Sequence, residues 1–317
     1  AASDVYKRQA LDAGFPADKI VFAGVGKADW EINLGLDNDI FCFNVESAVE
    51  LGIINELAAA KNKVASIALR INPEVDAHTH AKITTGMKEN KFGINLSQLG
   101  GVLDKLKEMK NVKLIGIHSH IGSQITDMSS FRNLVIRFNE IQEELEAHGV
   151  TVENLNFGGG LGIDYYHPNH LSIPAFDNYF AAIHKLLQVR PGQQVHFEPG
   201  RSIVAQCGTL ISKVLYVKEG ETKKFAILDA GFTELIRPAM YDAYHRIENI
   251  SSDEAVETYD VVGPICESSD VFGKDVELNK AHRGDLIALR SAGAYGEVMA
   301  SQYNCRHLPK AYYSDTI

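Results

Sequence analysis

The sequence predicts an α/β fold with a parallel sheet in its first two thirds and a separate β-rich domain in its last third. Short β-rich runs alternate with helical stretches as far as Val204, and this alternation is typical of βα units. After Val204, β-rich segments separated by turn-like residues replace the helical stretches. Hydrophobic residues make up 45% of the 317 residues, which is enough for a sizeable core. We therefore expect one domain over residues 1–204 and a second over residues 205–317.

Six strands are predicted in the first domain, at residues 20–23, 40–43, 66–71, 114–118, 154–157 and 195–198. Apolar residues recur every three or four positions between them, as in amphipathic helices, at residues 28–36, 47–60, 97–109, 129–146 and 173–187. A further helical run covers residues 7–13. Six consecutive βα units are typical of most of a TIM-type (β/α)8 barrel. Because a closed barrel has eight strands, we expect about two further βα units upstream of residue 1, unless the sheet is open.

The second domain is predicted from four β-rich segments, at residues 209–217, 224–229, 257–262 and 285–289. Turn-like sequences at residues 219–221 and 283–285 join some of them. The expected architecture is therefore an incomplete TIM-type α/β barrel followed by a β-rich C-terminal domain.

Composition and charge exclude several classes of partner. The formal net charge is −10 and no Lys/Arg tract is present, so duplex nucleic acid and anionic membranes are poor partners. No apolar run approaches the roughly 20 residues of a spanning helix, and no signal-peptide pattern is present, so we expect a cytoplasmic protein. The four cysteines form no CxxC pair, which predicts neither a zinc site nor a disulfide framework.

Candidate functional residues follow the predicted strands, where barrels of this type have their active sites. Gly158, Gly159 and Gly160 form a glycine-rich turn whose backbone amides can approach a phosphate, although a plain tight turn has the same composition. Glu198 can keep a heteroaromatic nitrogen protonated, and Arg201 can bind a carboxylate or phosphate. The alternative for these two residues is a Glu–Arg salt bridge at the end of a strand.

Two histidine pairs have the HxH spacing of metal-dependent hydrolases. His118 and His120 share one face of an extended chain, but the other predicted strand ends lack the further histidines and the aspartate that such a site requires. We therefore expect no metal. A better interpretation has His120 stacked on a flat cofactor and Ser123 on its phosphate, with His118 as a buried structural residue. The second pair, His78 and His80, is expected in a solvated loop.

The β-rich domain carries a further set of polar residues that are either ordinary surface residues or a substrate pocket. They are Arg237, Tyr241, Cys266, Glu267 and Tyr295. In a domain that follows a phosphate-binding barrel, we favour the pocket.

The motifs around these residues, taken together, resemble the diaminopimelate decarboxylase family. The matching segments are residues 120–123, 158–160, 198–201, 237–241 and 266–270, in order across nearly the whole chain. The family belongs to the fold-type III pyridoxal 5'-phosphate (PLP) enzymes, with ornithine decarboxylase and alanine racemase. The resemblance implies PLP-dependent decarboxylation of meso-2,6-diaminopimelate to L-lysine and CO2, the last step of lysine biosynthesis.

The resemblance also implies a role for each candidate residue. Glu198 would keep the PLP ring protonated and His120 would stack on its face, while the phosphate would be bound by Ser123 and the glycines. The implied phosphate site includes Gly158, Gly159 and Gly160, with Gly200, Arg201 and Tyr295 nearby. The implied substrate site consists of Arg201, Arg237, Tyr241, Glu267 and Tyr295, since two arginines suit the distal carboxylate that ornithine lacks.

A homodimer with shared active sites is implied as well. In the family, the residue that matches Cys266 donates a proton to the substrate carbon and enters from the other subunit. Lys91 resembles an interfacial lysine of the family, which would face Asp270 of the partner.

The family's Schiff-base lysine has no counterpart in the motifs of this sequence. It lies in a Tyr-Ala-x-Lys-Ala-like segment at the end of the first barrel strand, and Lys7 lacks both the strand and the residues that follow. We therefore expect a chain that is truncated at its N-terminus and inactive as given. The alternatives are carboxynorspermidine, arginine or ornithine decarboxylase, and a non-catalytic PLP-binding protein.

Overall fold

The computed structural model describes residues 4–75, 91–170 and 174–314, without the side chains of residues 4–7. The chain divides into two compact units. The first, which we call the parallel-sheet unit, consists of residues 1–160 and 177–199. The second, which we call the β unit, consists of residues 161–176 and 200–317. Residues 161–176, which follow the glycine-rich turn, thus belong to the second unit. The sequence pattern does not predict this assignment.

The parallel-sheet unit contains the six predicted strands and one short additional strand. The strands are β1 (Val21–Phe22), β2 (Cys42–Val45), β3 (Ala65–Asn72), β4 (Ile94–Asn95), β5 (Val112–His118), β6 (Asn154–Asn156) and β7 (Gln194–His196). All pairings are parallel, in the order β1-β2-β3-β5-β6-β7, and β4 pairs with the end of β3. Among the described residues, β1 and β7 each pair with one neighbour, so the sheet is an open part of a barrel.

The predicted helices are also present, within a few residues of their expected ends. They are α1 (Asp4–Asp12), α2 (Asp29–Asp37), α3 (Ala48–Ala60), α4 (Leu96–Glu108), α5 (Met128–Ala147) and α6 (Phe176–Leu186). Residue 173, the expected start of α6, lies outside the described residues. The two longest strands, β3 and β5, are mostly apolar, as in parallel sheets that are covered on both faces, and Ile67, Leu69 and Leu155 are fully buried.

The β unit has a sheet of six strands, two more than predicted. The strands are β8 (Leu210–Glu219), β9 (Lys224–Leu228), β10 (Ile247–Asn249), β11 (Val256–Val262), β12 (Val271–Asn279) and β13 (Leu286–Leu289), and the short helices are α7 (Arg201–Val204) and α8 (Arg237–Tyr241). The order is β10-β13-β8-β9-β11-β12, and all pairs are antiparallel except β9 with β11. Val214, Leu228, Tyr259 and Ile287 form part of its buried core.

Within the described ranges, no helix combines the length and the apolar composition that crossing a membrane would require.

Candidate active site

Buried polar side chains interrupt the apolar strands of the parallel-sheet unit near their carboxyl ends. In chain order they are Asn44, Glu46, Arg70, Asn72, His118 and Asn156. Because the strands run parallel, these ends lie along one edge of the sheet, where enzymes of this architecture have their active sites. Since burying polar groups costs free energy, such a cluster indicates a functional edge.

Glu198 lies just after β7 and has a neighbour at each carboxylate oxygen. Its Oε1 accepts a 2.9 Å hydrogen bond from Asn156 Nδ2, and its Oε2 lies 3.5 Å from His118 Nε2. Burial opposes ionisation, but His118 and the Asn156 amide outweigh it and hold the pKa of Glu198 well below its usual range. The side chain remains 37% exposed, so an ionised carboxylate is accessible at this edge.

His118, the last residue of β5, is buried, as the sequence predicted. Neither of its ring nitrogens has a hydrogen-bond partner among the described residues. An unsatisfied buried nitrogen costs about 1–3 kcal/mol, and such groups call for a functional explanation. For Nε2 the explanation is the neighbouring carboxylate of Glu198, whose Oε2 lies 3.5 Å away.

His120 lies in the loop after β5, and its ring is uncharged at neutral pH. Its Nδ1 accepts a 3.2 Å hydrogen bond from the backbone amide of Gly159, so this nitrogen carries no proton. Burial, together with the charges of Arg70 and His118, lowers the pKa of His120 to about 4. An uncharged imidazole can stack on a flat ring, which is the role predicted for it.

The glycine turn (Gly158, Gly159 and Gly160) follows β6 and packs tightly against its surroundings. Gly158 and Gly160 have φ angles of +64° and +111°, a left-handed conformation that glycine adopts without strain. A Cβ at Gly159 would clash with the backbone carbonyl oxygen of Glu198. The Gly158 amide donates a 2.9 Å hydrogen bond to Asn156 Oδ1. The turn therefore requires glycine for close packing, and binding of a phosphate stays a prediction.

Ser123 lies beside the glycine turn in the loop after β5. The Gly160 carbonyl oxygen accepts a 2.9 Å hydrogen bond from the Ile125 amide, and a Cβ at Gly160 would lie 2.7 Å from the Gly122 carbonyl oxygen. Ser123, half-buried, lies between Gly122 and Ile125 in the chain. The structure thus brings together the two groups predicted to bind a phosphate.

These features fit PLP, a flat pyridine with a phosphate group. The edge of the sheet presents an ionised carboxylate, an uncharged imidazole and a glycine turn in which added Cβ atoms would clash. In the described part of the chain, no group of three or more His, Cys, Asp or Glu side chains could hold a metal ion. His78 and His80 lie outside the described residues.

Sequence reasoning missed the buried ion pair between Glu46 and Arg70, two members of the polar cluster at the strand ends. Arg70 Nη1 donates to Glu46 Oε1 at 2.8 Å, and the amide of Gly93 donates to Glu46 Oε2 at 2.8 Å. The Arg70 guanidinium also lies 4.8 Å from the ring centre of Phe92. The only signal in the sequence was a charged residue inside an apolar strand.

Lys27, after β1, was also missed. Its ammonium group is almost completely buried and donates hydrogen bonds to the carbonyl oxygens of Gly24 and Asn44, both at 2.7 Å, and to Glu50 Oε1 at 2.5 Å. These three bonds use all three ammonium protons and connect the loop after β1 with β2 and α3. Lys27 is therefore a structural cation.

In the β unit, Arg201 and Arg237 share one acceptor, the hydroxyl oxygen of Tyr165. The distances from Nη1 to this oxygen are 2.7 Å for Arg201 and 3.1 Å for Arg237. Both arginines are buried, at 6% and 5% exposure, and burial lowers the pKa of Arg237. The structure thus brings two predicted substrate residues together around Tyr165, which the sequence did not single out.

Tyr295 lies beside Arg201, as a shared pocket requires. The Arg201 guanidinium is 5.0 Å from the ring centre of Tyr295, and a Cβ at Gly200 would lie 3.9 Å from the Tyr295 hydroxyl. Tyr295 is 43% exposed and has a left-handed φ of +59°. Tyr241, half-buried at the end of α8, is close enough to Arg237 to raise its pKa, against the larger effect of burial.

Cys266 and Glu267 lie on an exposed loop that Asp270 organises. The Asp270 carboxylate accepts 2.7 Å hydrogen bonds from the amides of Phe232 and Ile265, and its residue is only 3% exposed. The hydroxyl of Tyr303 donates to Glu267, so Tyr303 is a further residue of this region that the sequence did not reveal. All four cysteines of the chain are free thiols.

Comparisons with known proteins agree with these features. Residues 1–205 match the family model described as pyridoxal-dependent decarboxylase, pyridoxal binding domain. The chain is 68% identical over 310 residues to a diaminopimelate decarboxylase of Bacteroides thetaiotaomicron, covering 98% of the chain and 80% of that protein.

Solved structures give the same result. A diaminopimelate decarboxylase from Helicobacter pylori, complexed with L-lysine, matches with a TM-score of 0.89 and 40% identity, over 96% of this chain and 75% of that one. The diaminopimelate decarboxylase of Methanocaldococcus jannaschii matches with a TM-score of 0.89 and 40% identity, over 98% and 72%. The chain therefore belongs to the diaminopimelate decarboxylase family of PLP-dependent carboxy-lyases.

Proposed function

We propose that the protein catalyses the decarboxylation of meso-2,6-diaminopimelate to L-lysine and CO2 with PLP, as the last step of lysine biosynthesis. The observation that carries this choice of substrate is the pair of buried arginines, Arg201 and Arg237, which share an uncharged acceptor. Two guanidinium groups suit a carboxylate at the end of the substrate that does not react. Ornithine and arginine lack a second carboxylate and would leave this charge unmatched.

Residues of the parallel-sheet unit would bind the cofactor. When bound, PLP supplies a pyridinium ring that takes up the electron pair left on the substrate carbon as CO2 departs. With PLP bound, the ionised Glu198 would keep a proton on the ring nitrogen, and the uncharged ring of His120 would stack on the flat face without electrostatic repulsion. Ser123 and the glycine turn are proposed to bind the phosphate, with Gly200, Arg201 and Tyr295 contributing.

The β unit would bind the substrate and return a proton. Arg201, Arg237 and Tyr241 orient the distal end of diaminopimelate, with Tyr295 and Glu267 completing the set. We propose that Cys266 donates its thiol proton to the carbon that has lost CO2, which is consistent with its exposure. The proposed domains are a PLP-binding domain over residues 1–204 and a substrate and dimer-interface domain over residues 205–317, with Arg201 of the first range also assigned to the substrate.

A homodimer with shared active sites is also proposed, since Cys266 and Glu267 lie on an exposed loop that a second copy could present to another chain. The pairing of Lys91 with Asp270 of the partner stays a prediction. It has less support, because both Asp270 oxygens are buried and already accept backbone hydrogen bonds. The composition and the absence of a charged tract support a cytoplasmic enzyme that binds neither nucleic acid nor membranes.

We further propose that these 317 residues contain no Schiff-base lysine and are inactive on their own. Lys27 follows β1, but its side-chain nitrogen is almost completely buried and held by the carbonyl oxygens of Gly24 and Asn44 and by Glu50 Oε1, so it serves as a structural group of the fold. The side chain of Lys7 lies outside the described residues.

The test is release of CO2 from meso-diaminopimelate by this chain and by a chain with about 60–70 further upstream residues from the source DNA, with and without PLP. We expect activity only in the longer chain with PLP, and none with ornithine or arginine. Activity of the 317-residue chain would contradict the proposal on the lysine, and equal activity with ornithine would contradict the proposed substrate.

A further inference from the structure

Tyr165 and His245 surround the arginine pair of the β unit. The Tyr165 hydroxyl oxygen accepts from Arg201 Nη1 at 2.7 Å and from Arg237 Nη1 at 3.1 Å. His245 Nε2 lies 2.8 Å from Arg237 Nη1. The rings of Tyr165 and His245 meet edge to face, with centres 5.2 Å apart. Both residues are buried, with 6% and 1% exposure.

The orientation of His245 is fixed by its other nitrogen. Its Nδ1 lies 2.9 Å from the carbonyl oxygen of Arg290, which can only accept, so Nδ1 carries the proton. Nε2 is then left with a free electron pair, and the Arg237 guanidinium can only donate to it. His245 is therefore an uncharged acceptor for Arg237.

The uncharged acceptor has a specific consequence for Arg237. A carboxylate in place of His245 would align the Arg237 guanidinium and also cancel its charge. A neutral imidazole aligns the same guanidinium and leaves its charge available to a ligand. Among the described residues, Arg237 Nη1 has two hydrogen-bond partners, the Tyr165 hydroxyl and His245 Nε2, and neither is a carboxylate.

We infer that Tyr165 and His245 are positioning residues that hold Arg201 and Arg237 in place and so determine specificity for substrates with a carboxylate at the non-reacting end. The inference rests on the proposed function, because it assigns the arginine pair to the substrate. The Tyr165 oxygen fixes the separation of the two guanidinium groups, and His245 fixes the rotation of Arg237. The hydroxyl proton of Tyr165 remains able to donate to an incoming carboxylate oxygen.

The test uses two probes that differ in this carboxylate alone. L-Lysine retains the carboxylate at the non-reacting end of diaminopimelate, whereas cadaverine (1,5-diaminopentane) lacks it. In the PLP-loaded enzyme with its upstream residues, Tyr165→Phe should raise the KM for meso-diaminopimelate and the inhibition constant of L-lysine about 10- to 100-fold. It should leave the inhibition constant of cadaverine and kcat nearly unchanged.

Tyr166→Phe is the matched control, since Tyr166 is the next residue, is exposed and stacks on Tyr244. It should change none of these constants. Equal changes for L-lysine and cadaverine in Tyr165→Phe, or no change for either, would overturn the inference.

A second pair of variants serves if Tyr165→Phe does not fold. His245→Gln keeps an acceptor for Arg237 and should retain most L-lysine affinity, whereas His245→Glu, by neutralising Arg237, should lose it. Equal affinity of the two variants would contradict the role of His245.

Arg237→Leu separates this inference from the proposed function. If Arg237→Leu leaves the binding of both probes unchanged, the assignment of Arg237 to the substrate, on which the proposed choice of substrate rests, is wrong. If Arg237→Leu weakens L-lysine but Tyr165→Phe does not, the inference alone is wrong.

Discussion

At the scale of single residues, Asn156 connects two parts of the cofactor side. Its amide group donates to Glu198 Oε1 and its oxygen accepts from the Gly158 amide, both at 2.9 Å. One side chain thus orients the carboxylate predicted to face the pyridine nitrogen and the turn predicted to bind the phosphate. Because Asn156 donates one of these hydrogen bonds and accepts the other, Asp, which cannot donate when ionised, and Leu, which can do neither, cannot replace it.

We therefore expect Asn156→Ala to weaken cofactor binding by about tenfold, through loss of one hydrogen bond to a charged group and release of the turn. The probe is 4'-deoxypyridoxine 5'-phosphate, which lacks the aldehyde and so reports non-covalent affinity independently of a lysine. Asn154→Ala is the control, since Asn154 lies on the same strand, is buried and hydrogen-bonds Ile115 and His196 instead. An equal loss of affinity in the two variants would contradict the special role of Asn156.

Which site residues could be predicted from the sequence depends on how local their signal is. Glu198, His120 and the glycines occur in short motifs directly after strands, so the motif and the strand end together indicate them. Tyr165 and His245 carry no such signal. Their partner Arg237 lies 72 residues from Tyr165 in the chain, and only the folded β unit brings them into contact. Asn156 differs again, because it is a buried polar residue at the end of a strand, and sequence reasoning did not consider it.

At the scale of elements, a helix and a turn of the parallel-sheet unit impose opposite requirements on the glycine that each contains. Gly52 lies inside α3, and a Cβ added there would meet no atom within 4 Å. Gly159 lies in the turn after β6, and a Cβ there would clash with the backbone of Glu198. The same methyl group would therefore be accommodated in the helix and excluded from the turn.

We expect Gly52→Ala to raise the free energy of unfolding by about 0.5–1 kcal/mol, since glycine costs conformational entropy in a helix. Gly159→Ala should lower it by about 1–3 kcal/mol, because the clash with a backbone atom cannot be relieved by rotating a side chain. Urea unfolding of the two variants beside the parent chain measures both. Stabilisation by Gly159→Ala would show that the turn does not pack as described.

The strands that the sequence did and did not predict differ in their place in the sheets. The long strands β3 and β5 in the middle of the parallel sheet are mostly buried, and their apolar runs are easily recognised. The missed strands β10 and β12 are the two edges of the second sheet. Edge strands tolerate charged residues, and β12 carries Lys274, Asp275 and Glu277, which conceal its extended conformation.

At the scale of the whole molecule, each unit contains a histidine that is uncharged in the folded state. Burial is the main cause in both cases, and the pKa of His120 and of His245 is lowered from 6.5 to about 4. Unfolding restores the usual pKa, so between about pH 4 and 6.5 the unfolded chain binds protons that the folded chain does not. Stability then falls as the pH decreases through this window, by at most about 1.4 kcal/mol per pH unit for each histidine.

Two buried acids act in the opposite direction. Burial raises the pKa of Glu50 and of Asp270, so the folded state retains their protons at higher pH than the unfolded state, which favours folding as the pH falls. The pH dependence of the whole chain is therefore a sum of opposing contributions. A difference between two variants is needed to isolate one histidine.

His245→Gln removes one titrating group and keeps an acceptor for Arg237, whereas Asp270 and Glu50 remain in both proteins. We expect the unfolding transition that includes the β unit to lose less stability between pH 6.5 and 5 in His245→Gln than in the parent chain, measured by calorimetry at each pH. His148→Gln is the control, because His148 lies at the end of α5 in the other unit. An identical pH dependence in His245→Gln and the parent would mean that His245 has the same pKa in the folded and unfolded states. Its ring would then be protonated in the folded state below about pH 6.5, and in that range its Nε2 could not accept from Arg237.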